Sequence, residues 1–370
     1  MSGQADGYHA CPARPLAISR QGYNLRVSGP RRIHCQREWL PVRLSATDPA
    51  TYRIASWLCD GGSPGDRTVQ VLVPGITYGA YYWNFPVDPE RYSYVRAASE
   101  AGYATLSIDR LGAGASDYPP AVDLAIQSEA YVLHQIITAL RAGRIGHTRF
   151  TKVIVAGHSY GSYIAIQEAA TYADVSGLIL TGWLTATNLS GRLHLRQDMH
   201  PASQDPRFAD DSLPAGYFTT MPGTRGANFY HAGCADPDVI AADEALKQTA
   251  SSGDLASVRI PVPADMMRRI RVPVLLAVGQ DDILNCNPAL PGLSCASSAA
   301  ILARERANYP AQARLQTFVL PGSGHSVNLH PNAPEWFAAA ISWANRYVGR
   351  SATSPAAAER TSIEGLSPRA

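Results

Sequence analysis

The fold is decided by the stretch Lys152-Val153-Ile154-Val155-Ala156-Gly157-His158-Ser159-Tyr160-Gly161-Ser162-Tyr163-Ile164-Ala165-Ile166. Its first five residues form a short apolar run rich in β-branched side chains, which reads as a buried strand, and the run from Tyr160 onward begins a helix. Between the two, Gly157-His158-Ser159-Tyr160-Gly161 matches G-x-S-x-G. The bare pattern is a weak signal, because an ordinary Gly-rich turn before a helix matches it too. The strand before and the helix after give it meaning: on so tight a strand-to-helix turn, small residues let the chain reverse and leave the serine hydroxyl projecting from the sheet edge.

Outward from this turn the chain alternates short apolar runs with amphipathic stretches of helical length, the pattern of a parallel sheet covered on both faces. Strands are expected at 69–73, 104–108, 152–156, 177–180, 272–278 and 315–319. Helices are expected at 90–101, 122–142, 160–173, 297–309 and 334–348. Ahead of them, β-like runs at 39–45 and 52–59 flank Asp48-Pro49 and read as an antiparallel hairpin. A Gly/Pro/Asp turn follows at 61–66. The rhythm breaks between Thr181 and Arg271, where about 60 residues exceed what one connecting helix needs. The surplus predicts a cap over the C-terminal edge of the sheet. The expected organisation is an irregular arm at 1–32, an α/β core at 33–184 and 266–349, a cap at 185–265, and a tail without an apolar face at 350–370.

Composition sets the outer bounds. The chain has 370 residues, 46% hydrophobic and 17% charged, the balance of a globular protein with a sizeable core. Its net charge of +2 comes from scattered basic residues and gives no footprint for nucleic acid. No apolar run reaches the length of a membrane span. The first thirty residues lack the basic start and apolar stretch of a secretory signal, so a cytoplasmic location is expected, or a secreted one if a signal has been removed. Of the six cysteines (Cys11, Cys35, Cys59, Cys234, Cys286 and Cys295), only Cys286 and Cys295 lie close enough in sequence to invite a bridge, and unpaired small side chains are the alternative. No H-e-x-x-H or paired Cys/His spacing argues for a metal, and no cofactor is implied. The oligomeric state is not legible.

A serine hydroxyl at neutral pH is a poor nucleophile, so Ser159 calls for a base. Among ten histidines, His325 stands in a Gly-rich loop, Leu320-Pro321-Gly322-Ser323-Gly324-His325-Ser326, between the last strand and the last helix. His330 is the fallback, and His158 is assigned to packing. A carboxylate must orient the imidazole. Asp281 and Asp282 both follow the strand at 272–278, and either can serve. Donors to a transition-state oxyanion are expected from the backbone N–H of Tyr160 and from the loop after the first parallel strand, where Ile76 comes first and Thr77 second because Pro74 has no N–H. Tyr78, Tyr81 and Trp83 beside that loop are candidate walls of an acyl pocket, together with Trp183, Phe218 and Phe229. Asp109-Arg110 reads as a structural turn and ion-pair site. The glycines that follow it fail as a dinucleotide loop, since Asp117 stands at the third glycine position.

Taken together these residues resemble the α/β-hydrolase family, in the lineage with a helical cap after the sixth strand. The resemblance runs from about 51 to 348. It rests on Pro74-Gly75 where the family often has His-Gly, on Asp109-Arg110-Leu111-Gly112-Ala113-Gly114-Ala115-Ser116 like its D-x-x-G-x-G-x-S, on the elbow at Ser159, and on G-x-x-D ending at Asp282 with His325 beyond. It implies an α/β-hydrolase fold with a mostly parallel sheet, an N-terminal antiparallel hairpin and a helical cap. It also implies a Ser159-His325-Asp282 triad, since the family's acid lies three residues after the glycine. The expected activity is cleavage of an ester, thioester or lactone of a small-molecule acyl substrate through an acyl-enzyme. Acyl transfer, cyclisation, carbon–carbon cleavage and a non-catalytic binding role are the rivals.

Overall fold

Apolar strands need cover on both faces, and the computed structural model, which describes residues 33–61, 68–231, 233–290 and 292–350, supplies it. The strands, in chain order, are β1 (His34–Val42), β2 (Tyr52–Asp60), β3 (Thr68–Val73), β4 (Ala104–Ile108), β5 (Lys152–His158) and β6 (Gly177–Thr181), then β7 (Met199–Pro201), β8 (Tyr217–Thr220) and β9 (Ala250–Ser251), and finally β10 (Val274–Gly279) and β11 (Gln316–Leu320). Eight of them form one sheet in the order β1-β2-β4-β3-β5-β6-β10-β11. β1 and β2 form the antiparallel hairpin, β2 meets β4 antiparallel, and from β4 to β11 all neighbours are parallel.

Side chains alternate across a strand, so each central strand feeds two cores. Along β5, Val153 and Val155 join the cluster under helices Ile126–Arg141 and Tyr160–Tyr172, whereas Ile154 and Ala156 join the cluster under helices Tyr94–Glu100 and Ala333–Tyr347. The expected helix at 90–101 is divided at Ser93, whose hydroxyl caps the second part by accepting the Arg96 N–H at 3.0 Å. The expected helix at 122–142 begins only at Ile126, after a short 3-10 turn at Ala121–Asp123.

The surplus between β6 and β10 is not purely helical. Helices Leu189–Gln197, Arg225–Phe229, Pro237–Leu246, Ser252–Ser257 and Ala264–Met267 are joined by a small antiparallel sheet, β7-β8-β9. These strands are only two to four residues long, too short for a period-two pattern to be read.

Cys286 and Cys295 are bridged, and so are Cys35 and Cys59. The second bridge corrects the expectation of a single candidate pair. The two cysteines lie 24 residues apart in sequence, but the hairpin register sets them directly opposite each other. No helix among the described residues is long and apolar enough to cross a membrane. The expected arm at 1–32, most of the turn at 61–66 and nearly all of the tail lie outside the described residues.

Candidate active site

The strand-to-helix turn forces Ser159 into φ 53°, ψ −115°, a positive-φ conformation that a side-chain-bearing residue rarely adopts. The two motif glycines make the turn possible. A Cβ on Gly157 would collide with the Gly161 carbonyl, and one on Gly161 with the Val73 carbonyl. Ser159 is thereby held at the first turn of helix Tyr160–Tyr172, with its N–H donating to the Thr181 carbonyl at 2.7 Å.

The loop after β11 brings His325 beside the loop after β10. His325 Nδ1 lies 3.0 Å from both carboxylate oxygens of Asp282. Asp282 is buried and further accepts the Leu284 N–H at 3.0 Å and the Asn285 amide at 2.7 Å. Burial alone would raise its pKa. The opposing His325 charge and these hydrogen bonds win, and hold it below the ordinary carboxylate range. Asp281, one residue earlier, makes no hydrogen bond to His325, and its Oδ2 is buried without a partner. Asn285 was not foreseen: it also donates to the Gly182 carbonyl at 3.0 Å, tying the acid to the chain leaving β6.

With Nδ1 facing the carboxylate, the other ring nitrogen of His325, Nε2, is buried and has no hydrogen-bond partner among the described residues. Two other histidines pack nearby. His158 stacks on Tyr82 at 4.1 Å and sits 4.9 Å from the His325 ring, with Nδ1 3.1 Å from both the Tyr82 and Thr181 hydroxyls. Burial, then the His325 and Arg225 charges, drive its pKa well below the imidazole range, so it stays neutral. His330, the fallback base, is pushed down to about 4 by burial. Its Nε2 accepts the Gly324 N–H at 2.9 Å and its Nδ1 lies 3.0 Å from the Ser326 carbonyl, so it shapes the loop that carries His325.

Ser159, Tyr160, Ile76 and His325 line one cavity of about 520 Å³. Neither the Ile76 nor the Tyr160 backbone N–H donates to another backbone or side-chain group among the described residues. Thr77, the second-choice donor, has φ 58° and is buried, with its carbonyl accepting the Gln248 N–H. The Asp109 carboxylate fastens the loop after β3 to its neighbour, accepting the Ala80 N–H at 2.7 Å and the Ala115 N–H at 2.9 Å. Arg110 makes the expected ion pair, 2.8 Å from Glu129 and 3.2 Å from Asp254.

The cavity walls differ from the expectation. Of the six aromatic residues proposed for them, only Trp183 lines the cavity, and the rest of the wall comes from Tyr160, Tyr163 and mostly aliphatic residues such as Leu184, Leu255, Val258 and Leu284. Tyr78 and Tyr81 instead donate their hydroxyls to Asp243, at 3.1 and 3.0 Å. Trp83 is fully buried against Tyr82 and Tyr94. Phe218 belongs to β8, and Phe229 packs between Tyr78 and His325. Phe229 and Tyr78 therefore pack behind the loop that carries His325. The aliphatic walls carry no motif and could not be singled out.

One grouping of potential metal ligands occurs among the described residues: His134, Glu168 and Asp174, whose ligand atoms lie within 4.8 Å of one another. Glu168 is nine residues along the helix from Ser159, about 13 Å away at the helical rise. Burial next to Asp174 pushes its carboxyl up to about 10.

The profile of the alpha/beta hydrolase family matches residues 70–340. The chain belongs to that family. Solved structures agree on the fold. A thermophilic esterase from Thermogutta terrifontis, solved with malate bound, is 19% identical, covering 84% of this chain and 99% of its own, with a TM-score of 0.56. An esterase from Exiguobacterium antarcticum is 17% identical over 79% of this chain and 96% of its own, at 0.56. An E-2-(acetamidomethylene)succinate hydrolase is 16% identical over 85% and 99%, at 0.55. Identities this low speak for the alpha/beta hydrolase fold alone. No curated protein matches the sequence.

Proposed function

We propose that this alpha/beta hydrolase cleaves carboxylic esters, thioesters or lactones through an acyl-enzyme on Ser159. The observation that carries the reading is a convergence: a serine held at positive φ and an Asp282–His325 pair with an unpartnered Nε2 meet at one apolar cavity. In this reading Ser159 Oγ attacks the carbonyl carbon while His325 Nε2 takes its proton. The tetrahedral oxyanion accepts hydrogen bonds from the Tyr160 and Ile76 N–H groups, which have no competing acceptor. His325 then protonates the leaving alcohol or thiol, and the same nitrogen activates the water that hydrolyses the acyl-enzyme. Asp282, its pKa held low, stays ionised and stabilises the imidazolium.

Residues 185–265 serve in this reading as the substrate-binding cap, since the cavity is lined from both the sheet side and this segment. The disulfides Cys35–Cys59 and Cys286–Cys295 favour an oxidising compartment over the cytoplasm as the place of action. The test is Ser159→Ala. The variant should keep its circular dichroism spectrum and unfolding midpoint while losing nearly all turnover of short-chain p-nitrophenyl esters. Turnover within tenfold of the parent would remove Ser159 from the mechanism.

A further inference from the structure

Among the described residues, the fully buried arginines and lysine are paired. Arg110 has Glu129 and Asp254 at 2.8 and 3.2 Å, Arg225 has Asp243 at 2.9 Å, and Lys247 has Glu244 and Asp205 at 2.6 and 2.8 Å. The pairing follows from the cost of taking a charge out of water.

The cavity over Ser159 gathers cations that lack such partners. Arg192, Arg196 and Arg259 line it, and no Asp or Glu does. Among the described residues, none of the three has a carboxylate within 4.0 Å, whereas the paired cations do. Arg196 and Arg259 stand at the exposed mouth, but Arg192 is half-buried. Burial lowers its pKa, with the Asp282 charge opposing that shift. Asp282 is not available as a partner, because its two oxygens are engaged by His325, Leu284 and Asn285. Of the guanidinium's N–H groups, one donates to the Val258 carbonyl at 3.2 Å. Arg192 lines a cavity whose other walls are mainly aliphatic.

Resting on the reading of Ser159 as nucleophile, we infer that the substrate is an ester that also carries a carboxylate, with Arg192 receiving that carboxylate while the apolar walls hold the chain between the two groups. A planar guanidinium fork matches a carboxylate geometrically, and the pairing is charge-assisted. Arg196 and Arg259 at the mouth add a positive field that draws such a substrate in and is weakened by salt. Selection of one acid ester over its neutral counterpart then comes from the cap, and cleavage from the sheet edge.

Binding can be measured without turnover. Full-length Ser159→Ala protein, checked by circular dichroism, is titrated with monomethyl adipate and with dimethyl adipate at pH 7.5 by calorimetry. The half-ester should bind about 10-fold or more tightly than the diester, the size of a charge-assisted hydrogen bond. Adding Arg192→Met should erase that ratio, and Arg192→Lys should retain part of it. Equal binding of the two esters, or a ratio that survives Arg192→Met, overturns the inference. Should the Arg192→Met protein fail to fold, the ratio is followed from 20 to 500 mM NaCl: a fall supports the inference, and a ratio unmoved by salt overturns it. Labelling of wild-type Ser159 by a fluorophosphonate is scored separately. Label without charge preference defeats the carboxylate assignment alone, and preference without label defeats the nucleophile assignment alone.

Discussion

The sheet and the segment between β6 and β10 are held together by different physics. In β3, β5, β6 and β10 nearly every side chain is buried and most are aliphatic, so the sheet is fixed by apolar burial and parallel ladders. The inserted segment instead buries charges. Asp243 accepts hydrogen bonds from Arg225 at 2.9 and 3.0 Å and from the hydroxyls of Tyr78, Tyr81 and Tyr230 at 3.1, 3.0 and 2.9 Å. Arg225 also lies 4.2 Å over the Tyr78 ring. Apolar burial is non-directional, whereas a fully satisfied polar network admits one arrangement. The network reaches the loop that carries His325 directly: the Tyr78 hydroxyl is 2.7 Å from that of Ser326, and the Ser326 N–H donates to the Phe229 carbonyl at 2.9 Å. The segment thus both walls the cavity and positions the loop that carries His325.

The largest effect should arise on the sheet side. Asp282→Asn removes the charge that orients His325 and should lower kcat by about 10⁴-fold, as loss of the equivalent carboxylate does in such triads. Asp281→Asn should leave most of the activity, because Asp281 does not reach the imidazole. Steady-state kinetics on one ester decides the matter, and equal losses in the two variants would place the acid elsewhere.

A smaller effect, on stability, tests the inserted segment. Asp243→Ala strands the buried Arg225 guanidinium and should cost about 3–5 kcal/mol in urea unfolding. The double variant Arg225→Met, Asp243→Leu removes both charges and should recover much of that loss. If the single variant costs no more than a surface substitution, the network does not hold the segment.

The two regions were also unequally legible in the sequence. Strands 104–108 and 152–156 could be drawn almost to the residue, because a run such as Val153-Ile154-Val155 needs two apolar faces and only a central strand offers them. The elbow, His325 and the Asp281-Asp282 pair were legible because each follows such a strand at the sheet's C-terminal edge. Asn285 was not, since its role lies in bridging Asp282 to the Gly182 carbonyl across 103 residues of sequence. Nor were Arg225 and Asp243, which look like surface charges until their partners at 77–81 are known. Short strands such as Ala250–Ser251 have no periodicity to read. The Cys35–Cys59 bridge required the hairpin register, which the sequence supports only once both strands are drawn to their full length.

The smallest effect concerns the cavity walls. Phe218 sits on β8 and does not line the cavity, so Phe218→Ala should leave the acyl chain-length profile unchanged. Leu255→Ala, which removes part of the wall, should shift the profile toward longer chains. Kinetics on p-nitrophenyl acetate, butyrate and octanoate separates the two, and a shift from Phe218→Ala alone would move the substrate wall to the small sheet.

The claim at the centre is that the serine held at positive φ by the turn after β5 is the nucleophile served by His325 and Asp282. It is tested most directly by treating the folded protein with a fluorophosphonate and locating the adduct by peptide mass spectrometry. The account predicts a single adduct on Ser159, formed much more slowly in a His325→Ala variant that remains folded. An adduct on another serine, or an unmodified Ser159 in folded protein after prolonged exposure, would contradict it.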